Sequence, residues 1–151
     1  MGLPLVVKCD YMTNLYNEKF IAIAKKTLKN VDFDTMVGIG LSGVLTVAKL
    51  SEPLKKYALY LRKDANSTHS LSYEEGSIGN KWILIDDLIA SGETLKVVCE
   101  RVKNILAEHK HESKFVGAYI YQGSIANPRK GFFSTDDEFL KNIIKTKGIE
   151  I

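Results

Sequence analysis

The sequence predicts an α/β fold, an open and mainly parallel sheet flanked by helices. Three observations predict it. Short apolar runs at residues 36–40, 57–61, 82–85 and 115–121 read as strands buried on both faces. Segments with apolar residues at helical spacing separate several of them. The resulting order of strand, helix, strand, polar loop, strand, helix, strand is that of parallel strands joined by crossovers. The chain has 151 residues, which suits one domain around one interior.

Residues 14–29 place Phe20, Ile21, Ile23, Ala24, Thr27 and Leu28 at helical spacing and predict an amphipathic helix. Residues 36–40 predict a buried strand entering a tight glycine turn. Residues 44–50 predict a helix that stops before Pro53. A second strand follows at 57–61. Residues 62–81 are polar, with Asn66, Ser67, Thr68, Ser70, Ser72, Gly76 and Gly79, and predict a long loop of the kind that carries function. Residues 82–85 are the clearest buried strand. After a turn at Ser91-Gly92, residues Leu95, Val98, Cys99, Val102, Ile105, Leu106 and His109 share one helical face. A fourth strand at 115–121, a short helix at 139–144 and a last strand at 149–151 complete the prediction.

Composition narrows the function. Hydrophobic residues make up 45% of the chain and charged residues 26%, which excludes a disordered chain or a disulfide scaffold. A formal net charge of +3 is too mild to argue for a nucleic-acid partner, yet leaves room for a local anion site. The lysines at 25–26, 55–56 and 145–147 are scattered and read as solvated faces. Cys9 and Cys99 are far apart and read as reduced core thiols of a cytoplasmic protein. The N-terminal apolar run is too short to span a bilayer, and Val6 breaks the myristoylation pattern, so no membrane partner is expected.

The chemistry concentrates in residues 82–95, Trp-Ile-Leu-Ile-Asp-Asp-Leu-Ile-Ala-Ser-Gly-Glu-Thr-Leu. A buried strand delivers Asp86 and Asp87 to its carboxyl end. A Ser-Gly-x-Thr turn then opens a helix whose free N–H groups suit a phosphate. Gly92 permits close backbone approach, and Ser91 and Thr94 offer hydroxyls. Two acids can accept hydrogen bonds from vicinal hydroxyls, so the segment matches a ribose 5-phosphate. Neither a P-loop pattern nor a dinucleotide fingerprint is present.

This segment resembles the PRPP-binding motif of the type I phosphoribosyltransferases, and the likeness spans about residues 34–121. The resemblance implies attack of a nitrogenous base on C1 of Mg-bound PRPP, with pyrophosphate leaving. It places Asp86 and Asp87 at the ribose hydroxyls and Ala90, Ser91, Gly92, Glu93 and Thr94 around the 5-phosphate. Glu93 stands where many members have Gly, so its side chain is expected to turn to solvent. Residues 38–43 are similar to the family's pyrophosphate loop, with Leu41, Ser42 and Gly43 as donors; Ser42 replaces a basic residue. Arg62-Lys63 resembles the pair that neutralises pyrophosphate. Residues 64–80 are similar to the family's catalytic loop, which shields the reactive cation. The stretch ending at Tyr73 echoes the loop of the adenine enzymes, with Ser72 in place of Glu. Glu74 or Glu75 could substitute only through a register shift. Asp86, Asp87, Arg62, Lys63 and Tyr73 are thus the expected catalytic set.

Ala90 and Gln122 stand where the 6-oxopurine enzymes have Asp and Lys, which counts against that class, and the loop's likeness to the adenine enzymes favours an adenine-like base. The Arg62-Lys63 pair before a histidine-bearing loop is also similar to the orotate enzymes, although Asn66 replaces their loop Lys. The family's base pocket is a hood built from the termini, here about residues 1–13 and 122–146 around a core of 14–121. Gln122 and Phe139 are the candidate base contacts, with Phe132 and Phe133 as further aromatics and Tyr119 and Tyr121 as core or rim. His109 and His111 read as surface residues. The implied metal is Mg²⁺ carried by PRPP, reached from Asp86 or Asp87 through water. The family implies a homodimer. Two alternatives stay open: an orotate-type pyrimidine enzyme, and a non-catalytic PRPP-sensing regulator on the same fold. A third, remote one is a phosphate-site enzyme whose two acids bind Mg²⁺ directly.

Overall fold

A computed structural model describes residues 2–5, 7, 12–63, 73–123 and 129–151. Six strands form one sheet in the order β3-β2-β1-β4-β5-β6. The inner four, β1 (Thr35–Ile39), β2 (Tyr57–Leu61), β4 (Lys81–Asp86) and β5 (Lys114–Ile120), are parallel. The edges β3 (Glu74–Gly76) and β6 (Gly131–Ser134) run antiparallel to their neighbours. The sheet is therefore mainly parallel, as its apolar runs predict.

Strand alternation divides the interior in two. Met36, Ile83 and Ile85 face Phe20, Ala24 and Leu28 of α2 (Phe20–Leu28) and Val47 and Leu50 of α3 (Gly40–Leu54). Val37, Ile39, Trp82 and Leu84 pack with Leu95, Val98, Cys99 and Val102 of α4 (Glu93–Glu108) and Leu140 of α5 (Glu138–Lys147). From β1 the chain winds through α3 to β2, and from β4 through α4 to β5 in the other direction. The carboxyl ends of β1 and β4 are thus neighbours whose connections diverge, the place where such sheets open a ligand crevice.

Several boundaries differ from expectation for local reasons. The helix expected at 14–29 is broken into α1 (Met12–Leu15) and α2. Asn17 makes the break: its side chain accepts the Lys19 N–H at 2.9 Å, and its carbonyl accepts the Phe20 N–H at 3.0 Å. Helix α3 starts at Gly40 and runs through Pro53, instead of stopping before it. Pro53 lies in the last turn, where the missing N–H removes a single ladder bond. The helix ends at Lys55, in the left-handed region with φ 57°.

The polar stretch 62–81 contains β3, and the stretch after residue 123 contains β6. Both are short edge strands with no fully buried side chain, so apolar periodicity does not reveal them. The strand expected at 149–151 is absent. After Gly148 (φ 63°) the Ile149 N–H returns to the Ile144 carbonyl at 2.9 Å, closing α5 as Ile149 enters the core. Cys99 is a buried free thiol, and Cys9 lies outside the described residues. The His111 ring lies 2.9 Å from the Gly79 carbonyl, and His109 caps α4. Among the described residues no helix is long and apolar enough to cross a membrane.

Candidate functional site

After Lys81, strand β4 is apolar until its last residue, which leaves Asp86 just 6% exposed at the sheet's carboxyl edge. The next two backbone groups hold the acids in place. The Tyr121 N–H donates to the Asp86 carbonyl at 3.1 Å, and the Gln122 and Gly123 N–H groups both donate to the Asp87 carbonyl at 3.0 Å. The Asp87 N–H donates to Asp86 Oδ1 at 2.9 Å. Burial pushes the Asp86 carboxyl up to about 8, and the neighbouring Asp87 carboxyl adds to the shift. The Lys63 ammonium pulls in the opposite direction. Asp86 thus holds a proton more tightly than an ordinary aspartate, beside a half-buried, more accessible Asp87.

Past Asp87 the chain turns through Ile89, buried in the core, and through exposed Ala90 and Ser91. Gly92 has φ 86°, and a Cβ there would meet Ile143 Cγ2 of α5 at 2.4 Å. Glycine is required on both counts. Helix α4 then begins at Glu93, and the Ser91 hydroxyl accepts the Glu93 N–H at 3.3 Å. Glu93 is exposed and pairs with Lys147 of α5 at 3.5 Å. Its charge therefore faces a cation at the protein surface. Thr94 is half-buried in the first turn.

On the other side of the crevice, Leu41, Ser42 and Gly43 form the first turn of α3. Gly38 and Gly43 let that turn sit directly on β1: a Cβ on Gly38 would lie 2.5 Å from the Gly43 carbonyl oxygen. The Ser42 carbonyl accepts the Tyr121 hydroxyl at 2.9 Å and the Thr46 hydroxyl at 2.7 Å. Leu41 is exposed. Gly40 has φ 69°, and Lys63 Cδ lies 3.5 Å from where its Cβ would be. Lys63 thus reaches from the end of β2 across the glycine turn toward Asp86.

The Arg62 guanidinium instead meets Glu75 at 3.5 Å, an exposed pair. The Tyr73 ring is exposed, and its carbonyl accepts the Arg62 N–H at 2.8 Å. Residues 64–72, including Asn66, His69 and Ser72, lie outside the described residues. Gln122 is held by its backbone beside Asp87, and its Oε1 is buried without a partner among the described residues. Phe139 packs edge-on against Phe133 at 5.1 Å, and the Arg129 guanidinium lies over its ring at 4.9 Å. Phe139 also lines a cavity of about 300 Å³ with Ser91, Arg129 and Lys147. Tyr119 and Tyr121 are buried, and Phe132 lies over Gly117.

Among the described residues no group of three or more His, Cys, Asp or Glu could hold a metal ion. Two adjacent carboxyls suit an ion that arrives already ligated by phosphate oxygens, and do not suit a resident one. Arg101 escapes the sequence reading. It is a single arginine on the polar face of α4, and nothing in its spacing marks it.

An open α/β sheet thus brings two acids, a helix start and a lysine together at its switch point. Solved structures share this fold. The chain is 18% identical to orotate phosphoribosyltransferase from Aeropyrum pernix, with a TM-score of 0.55 over 92% of this chain and 82% of that one. It is 17% identical to orotate phosphoribosyltransferase from Francisella tularensis, with a TM-score of 0.55 over 89% of this chain and 65% of that one. The chain has the type I phosphoribosyltransferase fold. In sequence it is 33% identical over 85 residues to the transcriptional regulator GfcR of Methanocaldococcus jannaschii. That match covers 51% of this chain, and the chain spans 40% of the length of the curated relative. No family model matches the chain.

Proposed function

We propose that the crevice binds Mg-PRPP and that the chain transfers ribose 5-phosphate to a nitrogenous base, favouring an adenine-like purine, with release of pyrophosphate. The observation that carries this reading is the meeting of three features: the Asp86-Asp87 end of β4, the start of α4, and Lys63 over Gly40. In this reading Ala90, Ser91, Gly92, Glu93 and Thr94 surround the 5-phosphate, with backbone N–H groups as the main donors. Asp87 accepts from a ribose hydroxyl, and Asp86, holding its proton, can donate to a ribose oxygen. Leu41, Ser42, Gly43, Arg62 and Lys63 take the pyrophosphate, and Tyr73 closes the stem beside them. Gln122 offers its unpartnered Oε1 to a base N–H, and Phe139 borders the neighbouring cavity.

A ring nitrogen's lone pair forms the bond to C1 as the C1–O bond breaks. The electron pair leaves with pyrophosphate, and the ring proton passes to water. Mg²⁺ enters as part of the substrate. The reading also carries a single domain over residues 1–151 with its hood from the termini, a homodimer, and a cytoplasmic setting.

The test is pyrophosphate release from Mg-PRPP against adenine, guanine, hypoxanthine, xanthine, orotate and uracil. Release that depends on one base supports the reading and names the substrate; release with orotate alone moves it to the pyrimidine class. A second reading, a PRPP-sensing regulator, is favoured by the likeness to GfcR and by Ser42 in place of a basic side chain. It predicts PRPP binding by calorimetry with no base-dependent release. Absence of both binding and release removes the PRPP reading and leaves the fold.

A further inference from the structure

We propose that Arg101 is a positioning residue: it ties the end of β2 to α4 and thereby holds Lys63 in the crevice. The inference rests on the reading of the crevice as a PRPP site. Arg101 projects from α4, eight residues past the helix start that forms one wall of the crevice. Its Nη1 donates to the Arg62 carbonyl. Its Nη2 donates to the Tyr73 carbonyl at 2.9 Å and meets Glu74 Oε2 at 3.4 Å. The Arg62 N–H already donates to the Tyr73 carbonyl at 2.8 Å. One guanidinium thus gathers both chain ends of the stretch from Arg62 to Tyr73 and a carboxylate of β3.

The side chain is 24% exposed, so water screens these bonds only in part. Lys63 is the next residue after Arg62. Holding the Arg62 carbonyl fixes the plane of the next peptide, and so the place of the Lys63 N and Cα from which its side chain reaches over Gly40. Arginine suits the task and lysine does not. Two carbonyls and a carboxylate in different directions need a planar fork with several N–H groups, whereas an ammonium is a point donor. A brace of the β2–β3 hairpin would use the same bonds, but it would not couple energetically to Lys63.

The experiment is a double-mutant cycle on the full chain. Mg-PRPP binding is measured by calorimetry for wild type, Arg101→Gln, Lys63→Ala and the double variant. Amide exchange at Arg62 is followed by NMR, and Arg101→Lys is the conservative control. Arg101→Gln is expected to weaken Mg-PRPP binding about tenfold, as loss of charged hydrogen bonds does. Lys63→Ala is expected to act similarly, and the double variant to be no weaker than the worse single. Exchange at Arg62 should accelerate in Arg101→Gln, and Arg101→Lys should restore less than half of the lost affinity. Losses that multiply in the double variant overturn the proposal, as does unchanged Arg62 exchange. A wild-type chain that binds no Mg-PRPP overturns the crevice reading itself, and is told apart because it appears before any substitution is made.

Discussion

Asp86 and Asp87 are adjacent in sequence and opposite in environment. The pair is legible from sequence because two charges end an apolar strand. Which of the two is buried is not, since that depends on the Tyr121 and Gln122 backbone and on Lys63, all distant along the chain. The consequence is a pH dependence of unusual sign for an aspartate. The folded-state value, about 8, lies above the ordinary 3.8, so the folded chain binds the proton more tightly than the unfolded one. Stability from this group is fully present below the ordinary value and is lost as pH rises through the folded value. Asp86→Asn keeps an oxygen to accept the Asp87 N–H and has no charge to desolvate. Its melting temperature should match wild type near pH 4 and exceed it by at least about 3 °C at pH 8. An offset that is the same at both pH values would show that Asp86 is ionised throughout.

Elements were legible where a continuous apolar run or a helical apolar period exists, and not where a contact decides. The four inner strands carry such runs, and α4 carries such a period. The break at Asn17 depends on one side chain bonding its own backbone, and β3 and β6 exist because β2 and β5 offer them an edge. The junction of β1 and α3 shows the same limit. Its glycines read as a turn, but their real task is a backbone crossing. A methyl on Gly38 would lie 2.5 Å from the Gly43 carbonyl oxygen and 2.8 Å from Val47 Cγ2. The first of these is backbone and can give way only if α3 lifts from the sheet. Gly38→Ala should therefore lose about 1–3 kcal/mol in urea unfolding, the range for overpacking. Gly2→Ala, with nothing within 4 Å, should be neutral. A Gly38→Ala chain as stable as wild type would mean that the helix start is not seated on β1.

At the scale of the molecule, strand order decides where a ligand crevice can open. The order of strand and helix implies a switch point, and a switch point implies a ligand at the carboxyl ends. The seat of α5 on Gly92, through Ile143 and Lys147, was not legible, because it joins segments some fifty residues apart with no pattern linking them. In the proposed reading that seat makes ligand binding a property of the whole chain, because the turn that would hold a phosphate at the start of α4 is one that α5 packs against. Mg-PRPP at about 100 times its dissociation constant adds ~2.7 kcal/mol to the folded state. At ~2–4 °C per kcal/mol for a chain of this size, the melting temperature should rise by ~5–10 °C. Inorganic phosphate, which meets only the helix start, should raise it less at equal concentration. Duplex DNA should raise it little at 150 mM salt, because a net charge of +3 argues against an extended basic face, and with few phosphate contacts any binding should fall only shallowly with salt. A larger shift with DNA than with Mg-PRPP would reverse the ranking of catalyst and regulator, since the dominant ligand would then be one that the crevice does not fit.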